Sequence, residues 1–112
     1  MKRLIFIVLL VTNFCFAAAF AGGDIAAGKE KSKTCVACHG ETGASPTAQF
    51  PIIAGQHEDY LYQSLTDYKA GNRKNPIMAG IVAALNDQDM RDLAAYYASQ
   101  GGLYSIDLPG KK

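Results

Sequence analysis

Two cysteines and a histidine stand close together in the motif Cys35-Val36-Ala37-Cys38-His39. Cysteines three positions apart lie on the same side of one helical turn, so both sulfur atoms face the same way. From that side they can add to the two vinyl groups of a porphyrin, and the adjacent His39 then points its imidazole at the iron. This spacing is typical of the attachment site of a c-type haem, and we predict one covalent haem c on this chain.

Three other interpretations of the motif stay open at this point. A disulfide between Cys35 and Cys38 would close a loop too short to gain much stability from chain entropy. A thioredoxin-like redox pair needs strands around it, and the chain has no alternating β-branched segments. A zinc site could add His39 and the other histidine, His57, but adjacent Cys38 and His39 would both have to turn toward one ion.

The ligand on the opposite face of the iron would set the chemistry, and three side chains are candidates. Met78 lies within Asn75–Gly80, which we predict to be a loop between two helices, far along the chain from His39. Met90 has the helical spacing of a core residue, and His57 would give a bis-histidine iron. We expect Met78 to be the distal ligand. A thioether opposite an imidazole raises the reduction potential and leaves no open position for a substrate.

The first 21 residues have the layout of a secretory signal peptide. Lys2 and Arg3 precede an apolar run that ends at Val11, and the triplet Ala19-Phe20-Ala21 follows. A basic start, a short apolar centre and small residues at the cleavage point are the three features of such a signal. We therefore expect cleavage after the triplet and a periplasmic domain over residues 22–112, with an uncleaved anchor as the alternative.

The charge and length of the exported part exclude several classes of protein. Cleavage leaves 91 of the 112 residues, enough for one domain, and removes two basic residues, so the formal net charge falls from +1 to −1. Nucleic-acid binding needs a basic excess that such a chain lacks. No segment after residue 21 is apolar enough to span a bilayer. Cys15 falls within the signal, which leaves Cys35 and Cys38 as the cysteines of the mature domain.

The elements around the motif are predicted to be a helix and a long loop. Asp24 caps a first helix that begins at Ile25 and runs through Lys33 into the cysteines. Residues 40–56 are rich in glycine and proline and have no helical or strand period. In so small a domain a loop of this length must wrap around something, and a porphyrin is a suitable group.

Two further helices are predicted, and no segment has the pattern of a strand. An amphipathic helix begins at Glu58 and ends at Gly71. The last helix begins after the N-cap Asn86, with Asp89 completing a capping box, and it ends at Gly101. Leu85 and Met90 form a hydrophobic staple across that cap. Residues 102–112 are expected to be a frayed tail.

A helical domain of about ninety residues has too little apolar core to be more than marginally stable by itself. We therefore expect the haem to be the core of an all-α fold in which three to five helices surround it. The chain without haem should be largely unfolded, because a group held only by the native state stabilises that state.

With these motifs in place, the mature chain resembles a class I c-type cytochrome, specifically the short bacterial cytochrome c553 or single-domain cytochrome c4-like group. Two features depart from the pattern: cytochrome c4 usually carries two such domains, and Lys31 stands where longer relatives often have an aromatic residue. The similarity runs from Gly23 to about Gln100 and depends on Gly23-Asp24, Gly28, Cys35-Val36-Ala37-Cys38-His39-Gly40, Pro51-Ile52-Ile53-Ala54-Gly55-Gln56, Tyr60-Leu61, Gly71-Asn72-Arg73, the Met78 segment and Leu93-Ala94-Ala95-Tyr96-Tyr97.

The resemblance implies roles that spacing alone does not assign. It implies that Pro51 offers its backbone carbonyl to the Nδ1–H of His39, a bond that orients the ligand. It also implies that Ile53 packs on the porphyrin, that Arg73 pairs with a haem propionate, and that Gly28 lets the last helix approach the first.

Together these features predict a periplasmic carrier of single electrons that is not an enzyme. Redox partner proteins would dock transiently on a small charged surface, and we expect a monomer. One alternative is a haem-based sensor or small-ligand-binding protein in which a gas displaces Met78, and another is a thiol-disulfide oxidoreductase. The candidate docking residues are Lys29, Lys31, Lys33, Arg73 and Lys74.

Overall fold

The computed structural model describes residues 22–103, so the predicted signal peptide and the tail beyond Leu103 lie outside the described residues. The described range contains five helices and no strand, which confirms the all-α prediction. None of these helices is both long and apolar enough to cross a membrane. The helices are α1 (Ile25–Lys31), α2 (Lys33–His39), α3 (Glu58–Ala70), α4 (Pro76–Val82) and α5 (Asp87–Ala98).

The first helix starts where predicted but is interrupted at Ser32. The Asp24 carboxylate accepts a hydrogen bond from the backbone N–H of Ala27 at 2.7 Å, which caps α1. The buried hydroxyl of Ser32 donates to the carbonyl of Lys29 at 2.7 Å, and the Ser32 backbone N–H is directed at the same oxygen. A serine that bonds its own preceding turn competes with the helical ladder. The expected single helix is therefore two, and α2 carries the cysteines.

Gly28 allows α1 and α5 to cross at close range. A Cβ at this position would lie 2.0 Å from the backbone oxygen of Asp92 and 2.7 Å from the Cβ of Tyr96. No side chain larger than hydrogen fits such a contact, so glycine is required here by space. The first and last helices of the described chain therefore pack directly against each other, as the family resemblance implied.

A buried carboxylate fastens the same crossing. Asp92, which is 2% exposed, accepts hydrogen bonds from the backbone N–H of Asp24 at 2.8 Å, from Lys31 Nζ at 2.6 Å and from Gln88 Nε2 at 2.7 Å. Burial by itself would raise the pKa of Asp92, but these donors outweigh burial and hold the pKa below its ordinary value. Lys31 also pairs with Asp89 at 2.9 Å.

The last helix begins as predicted but ends at Ala98, with Ser99 as its C-cap, and not at Gly101. The side chain of Asn86 accepts from the backbone N–H of Asp89, the Asp89 carboxylate accepts from the N–H of Asn86, and this capping box begins α5. Met90 is 4% exposed and lies in the core, as its helical spacing indicated. The core cluster of the domain consists of Leu61, Leu93, Ala94, Tyr96 and Tyr97.

The segment that carries Met78 is a helix, and the prediction of a loop there was wrong. The side chain of Asn75 accepts from the backbone N–H groups of Ile77 and Met78 at 3.0 and 3.1 Å, and Pro76 occupies the first helical turn. Asparagine followed by proline is a strong start signal for a helix. The helix has only seven residues, which is too short for hydrophobic periodicity to reveal it.

The long loop after α2 is held by backbone hydrogen bonds. The carbonyl of Gly43 accepts from the N–H groups of Ile53 and Ala54 at 2.8 and 3.1 Å, and Gly55 donates to the carbonyl of Tyr97 at 2.8 Å. Leu103 donates to the carbonyl of Ala54 at 2.8 Å. The start of the expected frayed tail is thus attached to this loop, and the rest of that tail lies beyond the described residues.

Candidate functional site

A cavity of about 420 Å³ opens among α2, the loop after it, α3 and α4. Its walls carry Cys35, Cys38, His39 and, from α4, Met78. This volume lies in the range of sites that hold cofactors. Most of the remaining wall is apolar, with Phe50, Ile53, Leu61, Leu65, Ile81 and Leu93 among its members.

The two cysteines form no disulfide with each other in the described part of the chain. Burial raises the pKa of the Cys35 thiol above its ordinary value. Catalytic thiols of thiol-disulfide oxidoreductases have a lowered pKa, because the thiolate is the nucleophile. The environment of Cys35 is therefore the opposite of the one that thiol-disulfide exchange needs.

His39 is held in a defined tautomer and orientation. Its Nδ1 lies 2.8 Å from the carbonyl oxygen of Pro51, the contact that the resemblance implied. A carbonyl oxygen only accepts, so Nδ1 carries the proton and the lone pair of Nε2 stays available for a metal. The ring of Phe50 meets the imidazole edge-on, with centroids 6.5 Å apart, and further limits its rotation. His39 itself is buried.

The three candidates for the distal position occupy different surroundings. Met78 is half-buried and lines the cavity. Met90 is packed in the core of α5. His57 lies at the N-cap of α3 beside a shallow surface depression shared with Gln56 and Tyr60. Of these three side chains, Met78 lines the described cavity, whereas Met90 and His57 are not among its lining residues.

The remaining predicted site residues also reach the cavity. Ile53 and Pro51 lie on its wall, and Arg73 lies at its rim. The Arg73 guanidinium donates to the hydroxyl of Ser64 at 3.2 Å and lies over the ring of Tyr68 at 4.8 Å from the centroid. A cation fixed at the rim of an apolar cavity suits the carboxylate of a ligand.

One buried polar atom of the wall lacks a partner. The hydroxyl of Tyr97, a side chain 3% exposed, makes no hydrogen bond of normal geometry within residues 22–103, although Ser32 and Cys35 are its polar neighbours. Burial raises the pKa of this phenol far above its ordinary value. An unpaired buried hydroxyl costs free energy, which a polar group of a bound cofactor can recover.

These observations fit a haem and leave the zinc interpretation unsupported. The cavity offers two thiols, an imidazole nitrogen with a free lone pair and a thioether within mainly apolar walls. In the described part of the chain, no group of three or more His, Cys, Asp or Glu side chains is arranged to hold a metal ion.

Sequence reasoning missed several residues of the site and misjudged one charge. Gln49, Gln56 and Ser64 contribute polar atoms to the cavity wall, and a loop or helix pattern does not reveal such positions. Lys31 was predicted to be a docking residue, but its ammonium is committed to Asp89 and Asp92 and holds α1 against α5. In the sequence, lysines stand at every second position over Lys29, Lys31 and Lys33. This pattern does not indicate that Lys31 pairs with Asp89 and Asp92.

Comparison with known proteins agrees with the geometry. Residues 25–100 match the Cytochrome c family. Cytochrome c4 of Pseudomonas aeruginosa is 48% identical over 92 residues, which cover 82% of this chain and 46% of that protein. Cytochrome c-554(548) of Halomonas halodenitrificans is 43% identical over 81 residues, which cover 70% of this chain and 98% of that protein.

A solved structure has the same fold. The crystal structure of reduced recombinant cytochrome c4 from Pseudomonas stutzeri matches with a TM-score of 0.70 at 43% identity, over 79% of this chain and 51% of that one. The chain thus spans about half the length of the cytochrome c4 relatives it matches. By its fold, its attachment motif and its match over residues 25–100, the chain belongs to the cytochrome c family as a class I c-type cytochrome with covalently bound haem c.

Proposed function

We propose that this protein carries single electrons between periplasmic redox proteins, with a haem iron bound by His39 and Met78. The observation that carries the proposal is that one cavity contains both cysteine sulfurs, His39 and Met78. The secretory layout of the first 21 residues supports the periplasmic location, where partner proteins of the same compartment would meet it.

Each side chain of the cavity has a defined task in this proposal. Cys35 and Cys38 hold the cofactor by two thioether bonds, and Nε2 of His39 binds the iron while Pro51 keeps Nδ1 protonated. Ile53 packs against the macrocycle. Arg73 pairs with a propionate from the rim. When bound, the haem supplies a one-electron couple whose potential the axial ligands raise or lower.

Two axial protein ligands favour electron transfer over catalysis. If His39 and Met78 both bound the iron, no iron position would be open to a substrate, which suits one-electron transfer without transfer of a group. A soft thioether stabilises the reduced iron and raises the potential. The protein's own contribution is to hold the side chains of His39 and Met78 in place. Few atoms around the iron then have to move when the iron changes its oxidation state.

The mouth of the cavity is suited to brief contact with a partner. Ile52, Tyr60 and Ile77 line the cavity and remain about half exposed, so an apolar rim surrounds the opening. Docking through such a small patch gives the weak, short-lived complexes that electron carriers need. The exposed cations that remain candidates for steering a partner are Lys29, Lys33, Arg73 and Lys74.

The test is carbon monoxide binding to the reduced full-length protein, matured in a host that attaches c-type haem. An electron carrier with both axial ligands in place keeps an unchanged low-spin spectrum under carbon monoxide. Met78→Ala opens the position, so this variant binds carbon monoxide and has a lower potential, whereas Met90→Ala behaves as the unsubstituted protein. Ready binding by the unsubstituted protein would instead support a gas sensor.

A further inference from the structure

The ammonium group of Lys69 lies against the end of α4. Its Nζ donates to the backbone carbonyl of Val82 at 3.4 Å, to that of Ala83 at 3.0 Å and to that of Leu85. Lys69 belongs to the last turn of α3, so one side chain connects α3 to the segment between α4 and α5. An ammonium has three N–H donors, and here three carbonyl oxygens converge on it.

This contact meets a need that the sequence of α4 creates. The last four carbonyls of a helix have no partner within the helix, and in a helix of seven residues they are a large share of the backbone. Its C-cap is Ala83, which is right-handed, so no left-handed glycine turn closes this helix. The Val82 carbonyl accepts from the backbone N–H of Leu85 at 3.0 Å, and Lys69 is a second donor to the same oxygen and a donor to the carbonyl of the C-cap Ala83. A cation at this negative end of the helix dipole supplies both the hydrogen bonds and a favourable charge.

The same helix positions Met78. At its start, the Asn75 side chain bonds the N–H groups of Ile77 and Met78. At its end, Val82 is fully buried and its carbonyl is one of those that Lys69 holds. The helix is therefore fastened at both ends, and the fastening at its C-terminal end comes from a side chain of another element.

We propose that Lys69 is a positioning residue that keeps Met78 on the iron by fixing the C-terminal end of α4. The proposal rests on the proposed function, because it takes Met78 to be the distal ligand. Lys69 is not among the residues that line the described cavity, so its effect is on how often α4 moves away. Each departure of α4 exposes the iron to outside ligands.

Exogenous imidazole measures these departures, because it binds oxidised haem where the methionine sulfur has left. The oxidised full-length protein is titrated with imidazole and followed by its absorption spectrum. Lys69→Met keeps the length and apolar stem of the side chain but has no donors, and we expect its apparent imidazole affinity to rise at least about tenfold. Lys29→Met removes one exposed positive charge from α1 and should leave the affinity unchanged.

Lys69→Arg separates geometry from charge. A guanidinium keeps the charge but has its donors in one plane, so it cannot reproduce three converging bonds. We expect its imidazole affinity to lie between those of the unsubstituted protein and Lys69→Met. An unchanged affinity in Lys69→Arg would overturn the three-carbonyl geometry as the cause.

Met78→Ala is the reference that keeps the two proposals apart. If Met78→Ala binds imidazole far more tightly while Lys69→Met matches the unsubstituted protein, the positioning role is overturned and the proposed ligation stands. If Met78→Ala itself shows no gain, the proposed ligation fails and the role of Lys69 fails with it. Denaturation of Lys69→Met distinguishes a purely structural role, which would lower global stability without changing imidazole affinity.

Discussion

Replacing Gly28 with alanine tests the crossing of α1 and α5. The added Cβ would lie 2.0 Å from the backbone oxygen of Asp92, whereas ordinary contact begins at 3.4 Å. The helices must therefore separate by about 1.4 Å, since the obstructing atom is backbone and cannot rotate away. That displacement stretches the 2.8 Å bond between the Asp24 N–H and the Asp92 carboxylate beyond hydrogen-bonding range.

The expected loss of stability follows from these contacts. Overpacking costs about 1–3 kcal/mol, and losing a hydrogen bond to a buried carboxylate costs about 1.5–3 kcal/mol. Alanine in place of glycine returns about 1 kcal/mol of helix propensity. We expect Gly28→Ala to lower the free energy of unfolding by about 3 kcal/mol, within a range of about 1.5–5 kcal/mol.

Guanidinium chloride denaturation of the haem-loaded protein, followed by far-ultraviolet circular dichroism, measures this loss. A decrease of about 3 kcal/mol lowers the midpoint by about 0.5–1.5 M. The control is Gly80→Ala in α4, where a Cβ meets no atom within 4 Å and the backbone φ is not positive. This control should be neutral or more stable by up to about 1 kcal/mol. Equal midpoints for the two variants would refute the steric argument.

Three other predictions concern charge, the cofactor and docking. The pKa of Asp92 is lowered in the folded state, so its contribution to stability is present above the unfolded pKa of about 3.9 and is lost as the pH falls toward the folded value. Denaturation midpoints of Asp92→Asn and the unsubstituted protein should therefore converge in acid, and a constant gap would contradict this. Cys35→Ala with Cys38→Ala should lose most helical circular dichroism, because the cavity of about 420 Å³ stays unfilled, and native-like helicity would disprove the point. Electron transfer to the partner should slow as salt is added, and a rate independent of ionic strength would remove the steering role of the exposed cations.

Features with a local cause could be predicted from the sequence. The capping box of Asn86 and Asp89 and the apolar stripe that follows require only neighbours within a few residues, so the start of α5 was predicted correctly. The attachment motif is equally local. Periodicity does not reveal the helix of Met78, because its seven residues span only about two turns, and Gly80 within it is more typical of a loop.

Features that depend on distant partners could not be predicted. The buried Asp92 carboxylate depends on donors from α1 and its N-cap, Lys31 and Asp24, which lie more than sixty positions away in the sequence. The apolar stripe around Asp92 gave no indication of them. The break between α1 and α2 at Ser32 depends on the acceptor that the Ser32 hydroxyl selects, here the carbonyl of Lys29. The sequence offers this hydroxyl several acceptors and does not say which one it uses. Lys69 carries the ordinary signal of a basic residue near a helix end, but its acceptors are carbonyls of Val82 at the end of α4 and of the segment that follows, instead of its own helix.

The central claim is that sulfur from Met78 and nitrogen from His39 bind the same iron. Near-infrared magnetic circular dichroism of the oxidised protein measures this most directly, because histidine–methionine and bis-histidine haems give different charge-transfer bands. We predict the histidine–methionine band in the unsubstituted protein, in Met90→Ala and in His57→Ala, and its disappearance in Met78→Ala. A bis-histidine band that disappears in His57→Ala would contradict the account.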